Sequence, residues 1–192
     1  MKISIITPSL MRDSLIQCCK SVDSQQYEDW QHVIALDCAP EDINDSLLVQ
    51  VQHPKRFIFC CGKKYGHYGN HARWMAWEKA QGAYEIFVDD DNELFHVNAL
   101  ADIARSLESA NLPDFAIFPI HRHGRIFFND PPGMCMTDSM NLVVKRHIGR
   151  WPDIESREAD GYFVEALKYK YKYVAFPDVE CIGLMEKSSN GI

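Results

Sequence analysis

Hydrophobic runs long enough to cross a bilayer are missing from this chain of 192 residues. The apolar start at residues 1–6 meets Thr7 and Pro8 too early for a secretory signal, so a cytoplasmic protein without a transmembrane segment is expected. An excess of positive charge is missing as well. Lys and Arg number 20 against 27 Asp and Glu, a formal net charge of -7, which argues against nucleic acid as the main partner. The seven cysteines are odd in number and include two adjacent pairs, Cys18-Cys19 and Cys60-Cys61, so reduced thiols are expected rather than a disulfide framework. Residues 7–12 contain no glycine, which removes the phosphate-cradling turn that a dinucleotide fingerprint or a P-loop needs after the first strand. No Gly-x-Ser-x-Gly elbow occurs, and no internal repeat.

What is present is an alternation of strand and helix. Residues 2–7 read as a β-branched strand stopped by Pro8, followed by a helix capped at Asp13 or Ser14 and running to about Ser24. Residues 32–36 form the next strand, making a βαβ unit with parallel strands. A short helix near 43–50, a strand at 56–60 and a glycine-rich basic stretch at 62–69 follow. A helix from Asn70 is expected to close at Gly82, then a strand at 84–88 and a helix at 97–110. The second half reads as strands at 115–120, 125–128 and 140–145, a helix at 161–170 and a last strand at 173–176. The expected fold is α/β: a Rossmann-like, mostly parallel sheet flanked by helices, with a small mixed C-terminal extension. One domain over residues 1–192 is expected, with its halves meeting near residue 112.

The strand at 84–88 runs straight into Asp89-Asp90-Asp91-Asn92. Three like charges repel, and burial raises their pKa values unless a cation or hydrogen-bond donors compensate. A hard divalent ion shared with a diphosphate is one compensation; capping of the following helix by Asp91 or Asn92 is the other. Ligands of open parallel sheets sit beyond the carboxyl ends of the strands. That rule brings Thr7-Pro8-Ser9, Asp37 and the Asp triplet to one rim, a convergence that capping does not account for.

Taken with their order and spacing, these segments resemble a family 2 glycosyltransferase of the GT-A fold type over essentially the whole chain. The resemblance is carried by Ile3-Ser4-Ile5-Ile6-Thr7-Pro8-Ser9-Leu10-Met11-Arg12, by Leu15 to Ser24 with Gln26-Tyr27-Glu28-Asp29-Trp30, and by Val33-Ile34-Ala35-Leu36-Asp37. Tyr65-Gly66, Ala72-Arg73, the strand into Asp89-Asp90-Asp91-Asn92, and Glu158-Ala159-Asp160-Gly161 continue it. It implies an inverting enzyme that uses Mn²⁺ or Mg²⁺ to move one sugar from a nucleotide-diphosphate sugar, UDP-type favoured, to a hydroxyl acceptor. Residue by residue, it implies Thr7, Pro8 and Ser9 against the base, Arg12 near the ligand, Asp37 on the base edge, and Gly66 and Arg73 bordering or ordering the pocket. Asp89 and Asp90 would face ribose and sugar, Asp91 would hold the metal, and Asp160 would be the catalytic base.

The chain departs from the family pattern in two respects. Ala159 separates Glu158 from Asp160, so Glu158 stands as a substitute base. No histidine follows His147, which leaves Asp178, Glu180, Glu186 or water as a further metal ligand. The Gln-x-x-Arg-Trp signature of processive synthases is missing, implying single addition. A non-catalytic nucleotide-sugar-binding module is the alternative reading. Among other clusters, His67 and His71 lie near Cys60-Cys61, but those cysteines lack zinc-ligand spacing. His121-Arg122-His123 reads as an acceptor-pocket wall or a solvated turn, and Tyr169 to Tyr173 as amphipathic surface.

Overall fold

A computed structural model describes residues 1–122 and 124–184 of the protein. The chain begins with β1 (Ile3–Ser9), α1 (Ser14–Asp23) and β2 (Trp30–Leu36), continues through α2 (Asp45–Gln50), β3 (Arg56–Cys60) and α3 (Asn70–Trp77), and reaches β4 (Tyr84–Phe87). These four strands are mutually parallel where they pair, in the order β4-β1-β2-β3. After β5 (Asn92–Leu94) and α4 (Ala99–Ser109) come β6 (Phe115–Ile117), β7 (Ile120–Arg122), β8 (Arg125–Phe127), β9 (Leu142–Lys145), α5 (Ala159–Lys168), β10 (Tyr173–Ala175) and β11 (Ile182–Leu184). The strands β9, β6 and β10 extend the main sheet beyond β4 to seven strands, with β9 antiparallel to both of its neighbours. A four-stranded sheet, ordered β5-β11-β7-β8, stands apart from it.

The two-residue period of the strands decides which helix each side chain meets. Ile3 and Ile5 of β1, with Tyr84, Ile86 and Val88, join the cluster that holds Cys18 and Val22 of α1 and Leu100, Ile103 and Leu107 of α4. Ile6 and Phe87, one residue out of phase, join Ala72 and Ala76 of α3 and Phe163, Val164 and Leu167 of α5. Helices therefore cover both faces of the sheet, as expected for parallel strands buried on two sides. A third cluster, around Leu15, Ile34, Leu36 and Leu47, seats α2 against β2.

Five local expectations are corrected. Pro8 does not stop the first strand, which runs on through Ser9. Ile6 accepts from Val88 on the β4 side and Ser9 accepts from Asp37 on the β2 side. Pro8 faces the β4 side, where pairing ends at Ile6, so its missing N–H costs no ladder bond. Gly82 is not a helix cap, because α3 ends at Trp77. Its N–H reaches Ser4 Oγ at 2.8 Å, and an added Cβ would lie 2.5 Å from the Ser4 nitrogen, so close approach to β1 is what requires glycine there. The strand expected at 115–120 is two strands in different sheets, divided at Phe118-Pro119. Asp160 lies inside the first turn of α5 rather than ahead of it, and Asp13 makes no side-chain cap on α1.

Candidate functional site

Beyond the carboxyl ends of β1, β2 and β4 lies a cavity of about 600 Å³. Eight of the nine residues expected to bind the nucleotide sugar line it: Pro8, Ser9, Arg12, Asp37, Gly66, Arg73, Asp89 and Asp90. Thr7, the ninth, lies beneath the floor. Its hydroxyl donates to the Val88 carbonyl at 2.7 Å and meets His32 Nε2 at 2.9 Å, tying the end of β1 to β4 and β2. Leu10, Tyr65, His67, Tyr68, Gly69 and Glu155 line the cavity as well. Glycine-rich polarity marked the 65–69 stretch in the sequence; nothing marked Glu155, which is brought in when Asn70 binds the carbonyls of Ile154 and Ser156.

The wall formed by residues 66–69 is strained. Gly66, His67, Tyr68 and Gly69 all have positive φ, at 76°, 41°, 54° and 78°. Two adjacent non-glycine residues in that region cost on the order of 1–3 kcal/mol each and persist only when their surroundings hold them. Asp37 and Arg73 supply that hold. Both carboxylate oxygens of the buried Asp37 accept backbone N–H groups, from Tyr65 at 2.7 Å and Gly66 at 2.8 Å. Arg73 donates Nη1–H to the Tyr68 carbonyl at 2.9 Å and Nη2–H to Asp89, while its guanidinium rests 5.4 Å from the ring centre of Trp151. Gly69 packs so tightly that a Cβ there would lie 3.1 Å from Pro8 Cβ.

Each carboxylate of the triplet meets an arginine. Asp89 pairs with Arg73, and Asp90, almost fully buried, receives Ser9 Oγ–H at 2.8 Å, the Leu10 N–H at 3.1 Å and the Arg12 guanidinium. Arg12 also reaches Asp91, Nη1 to Oδ2 at 3.1 Å, both side chains being about half exposed. The bond to Asp90 holds the Arg12 guanidinium more firmly protonated than usual, against the opposing effect of burial. Asp91 does not line the cavity but shares Arg12 with its floor. No group of three or more His, Cys, Asp or Glu among the described residues is arranged to hold a metal ion alone. A hard divalent ion bound through phosphates and water needs only one or two carboxylates, and the half-exposed Asp91 fits that role. Asp178 and Glu180 line a separate cavity beside Phe95 and His96, where Glu180 bonds His121. Glu186 and His123 lie outside the described residues.

Asp160 lines a second, smaller cavity of about 260 Å³, together with Arg122, Asp138, Arg157 and Glu158. Burial pushes the Asp160 carboxyl up to about 6, offset in part by the Gly161 N–H, which it accepts at 2.8 Å. Asp138 was not anticipated from the sequence. It caps the turn Ser139–Asn141, accepting from the Met140 N–H at 3.1 Å, and burial raises its pKa too. The spacing Asp138 to Asn141, a capping box, was its only trace in the sequence. Arg73, which lines the larger cavity, acts electrostatically on both Asp138 and Asp160, and Asp138 also feels Asp89. Glu158 is exposed and takes a weak 3.6 Å contact from Cys135 Sγ.

Solved structures share this architecture. S. aureus TarS 1-349 superposes with a TM-score of 0.77 at 15% identity, covering 96% of this chain and 60% of that one. The same protein in complex with UDP-GlcNAc gives 0.78 at 17% identity, with 97% and 59% covered. The mannosyltransferase PcManGT from Pyrobaculum calidifontis, in complex with GDP-Man and Mn²⁺, gives 0.66 at 15%, with 97% and 58% covered. The fold is GT-A-like. Identities of this size carry the fold alone, and the chain spans about three fifths of the length of these structures. Neither a protein-family model nor a curated protein matches the sequence. Among the described residues no helix is long and apolar enough to cross a membrane.

Proposed function

We propose that the protein is an inverting glycosyltransferase of the family 2 kind, moving one sugar from a nucleotide-diphosphate sugar to a hydroxyl acceptor. The observation that carries this reading is the cavity at the carboxyl ends of β1, β2 and β4, lined by residues from all three strand ends. Its volume suits a nucleotide-sized ligand. UDP-GlcNAc and GDP-Man complexes of proteins with this fold support a nucleotide-sugar donor, and the Mn²⁺ in one of them supports a divalent ion. Residues 1–112 would form the donor side and residues 113–192 the acceptor side of one unit.

In this reading Asp37 and Arg73 hold the 65–69 wall in its strained shape, so that Pro8 and Tyr65 border the base without reorganising on binding. Arg12 offers a positive charge at the diphosphate end. A divalent ion at Asp91, when bound, supplies neutralisation of the leaving diphosphate. Asp160 takes the acceptor hydroxyl proton; a carboxyl raised to about 6 is a stronger base than an ordinary one and is still ionised at neutral pH. Arg73, on the donor side, also acts electrostatically on Asp160.

Release of nucleoside diphosphate from a panel of nucleotide sugars, with and without Mn²⁺, tests the proposal. Metal-dependent release that disappears in Asp160→Asn supports it. Binding without turnover on any donor or acceptor would favour the second reading, a nucleotide-sugar-binding module, for which the lack of a histidine after His147 speaks.

A further inference from the structure

We propose that Arg12 is an exchangeable internal cation, holding the metal position at Asp91 in the empty protein and moving to the donor's diphosphate when a divalent ion takes Asp91. The inference deepens the proposed donor site and rests on it.

The geometry singles out Arg12. Its two terminal nitrogens divide between two carboxylates of different character. Nη2 bonds Asp90, which is buried and also held by Ser9 and Leu10, whereas Nη1 meets the half-exposed Asp91 at 3.1 Å. The first contact is anchored; the second is a solvent-screened pair between two half-exposed side chains, and weak for that reason. The contact to Asp91 is therefore the one that a divalent ion can displace, leaving Arg12 tethered through Asp90 at the cavity wall. Freed Nη1 donors match the oxygens of a phosphate, for which a guanidinium fork is suited.

An independent feature marks the same cavity as prepared for a polar ligand. Arg73 is more than nine-tenths buried and lines the cavity, and its Nε has no hydrogen-bond partner among the described residues. Buried donors of that kind are normally satisfied, so a ligand or water acceptor is called for. Arg73 is fixed at both of its other nitrogens and cannot make the exchange; Arg12, half exposed, can.

The exchange makes a quantitative demand on linkage. If metal binding frees Arg12 for the nucleotide, then each ligand strengthens the other beyond the direct metal–phosphate contact, by the same factor in both directions. Mn²⁺ binding to the protein, followed by the paramagnetic resonance of free Mn²⁺ with and without UDP, reads that factor; Trp fluorescence follows UDP in parallel. In Arg12→Gln, Mn²⁺ alone is expected to bind roughly 3- to 5-fold tighter, since the competing cation is gone. UDP alone binds more weakly, and the coupling factor between the two falls at least about 3-fold.

General electrostatics would also tighten Mn²⁺ but would leave the coupling factor unchanged, so unchanged coupling overturns the exchange while donor binding stands. Unchanged or weaker Mn²⁺ binding by Arg12→Gln overturns it as well. Absence of Mn²⁺ binding by either protein, even with UDP, overturns both the exchange and the metal-dependent part of the proposed function.

Discussion

The two cavities treat their carboxylates in opposite ways. In the larger one the three aspartates are matched: Asp37 by two backbone N–H groups, Asp89 by Arg73, and Asp90 by Arg12, Ser9 and Leu10. In the smaller one Asp138 and Asp160 are under-compensated, and burial raises both pKa values. Matched acids are held in place, which suits holding a ligand. Under-compensated acids sit nearer to their titration range, which suits moving a proton. The division of labour between binding and chemistry is thus written in what surrounds each carboxylate.

The largest test of that contrast is Asp160→Asn. Turnover should fall by about 10²–10⁴-fold, the range for loss of a general base, while UDP affinity measured by calorimetry stays as in the wild type. A parallel loss of UDP affinity would erase the contrast. Asp37→Ala should do the reverse. Two backbone donors lose their acceptor, so the strained 66–69 wall relaxes, with a destabilisation of about 1–3 kcal/mol in denaturant melts and a matching loss of UDP affinity.

Glu85 sharpens the comparison, because it is a buried carboxylate outside both cavities. It is fully buried in β4, and neither of its oxygens has a partner among the described residues. Burial pushes it up to about 8, against the opposing pull of Arg146. Its folded pKa lies above the unfolded value, so the native state binds the extra proton. This contribution is full below about pH 4.5 and is lost as pH rises through about 8. Glu85→Met should therefore flatten that decline and raise stability at pH 8.5 by about 1–3 kcal/mol in urea melts, without touching UDP binding.

The smallest effect belongs to Asp138→Asn. Asparagine keeps an oxygen for the Met140 N–H but loses the charge that Asp160 feels. For the wild type, turnover should decline as pH falls through about 6, where Asp160 gains its proton. In Asp138→Asn that limb should move to lower pH by less than about one unit. Burial and Arg73 also act on Asp160, and an unmoved limb would mean that they, rather than Asp138, set the base.

The main sheet was legible because its signals are local. Residues 56–60 read as a strand, and the apolar runs at 33–36 and 84–88 suit strands buried on both faces of a parallel sheet. The rim followed from topology, since strand ends on parallel neighbours must converge. The second sheet was less legible. β5 and β11 are three residues each, too short to show alternation, and they exist because they pair with each other from positions about ninety residues apart. Asp138 was invisible as a site residue because a cap and a charged pocket wall look the same in one dimension. The role of Asp37 as an anchor of the 65–66 backbone likewise depends on a loop 28 residues away.

A structure of the protein soaked with a UDP-sugar and Mn²⁺ tests the central claim most directly. The account predicts the uracil between Pro8 and Tyr65, the diphosphate beside Arg12 and Asp91, and the anomeric carbon turned toward the cavity that holds Asp160. A nucleotide bound outside the cleft of Asp37 and Arg73, or a sugar pointing away from Asp160, would contradict it.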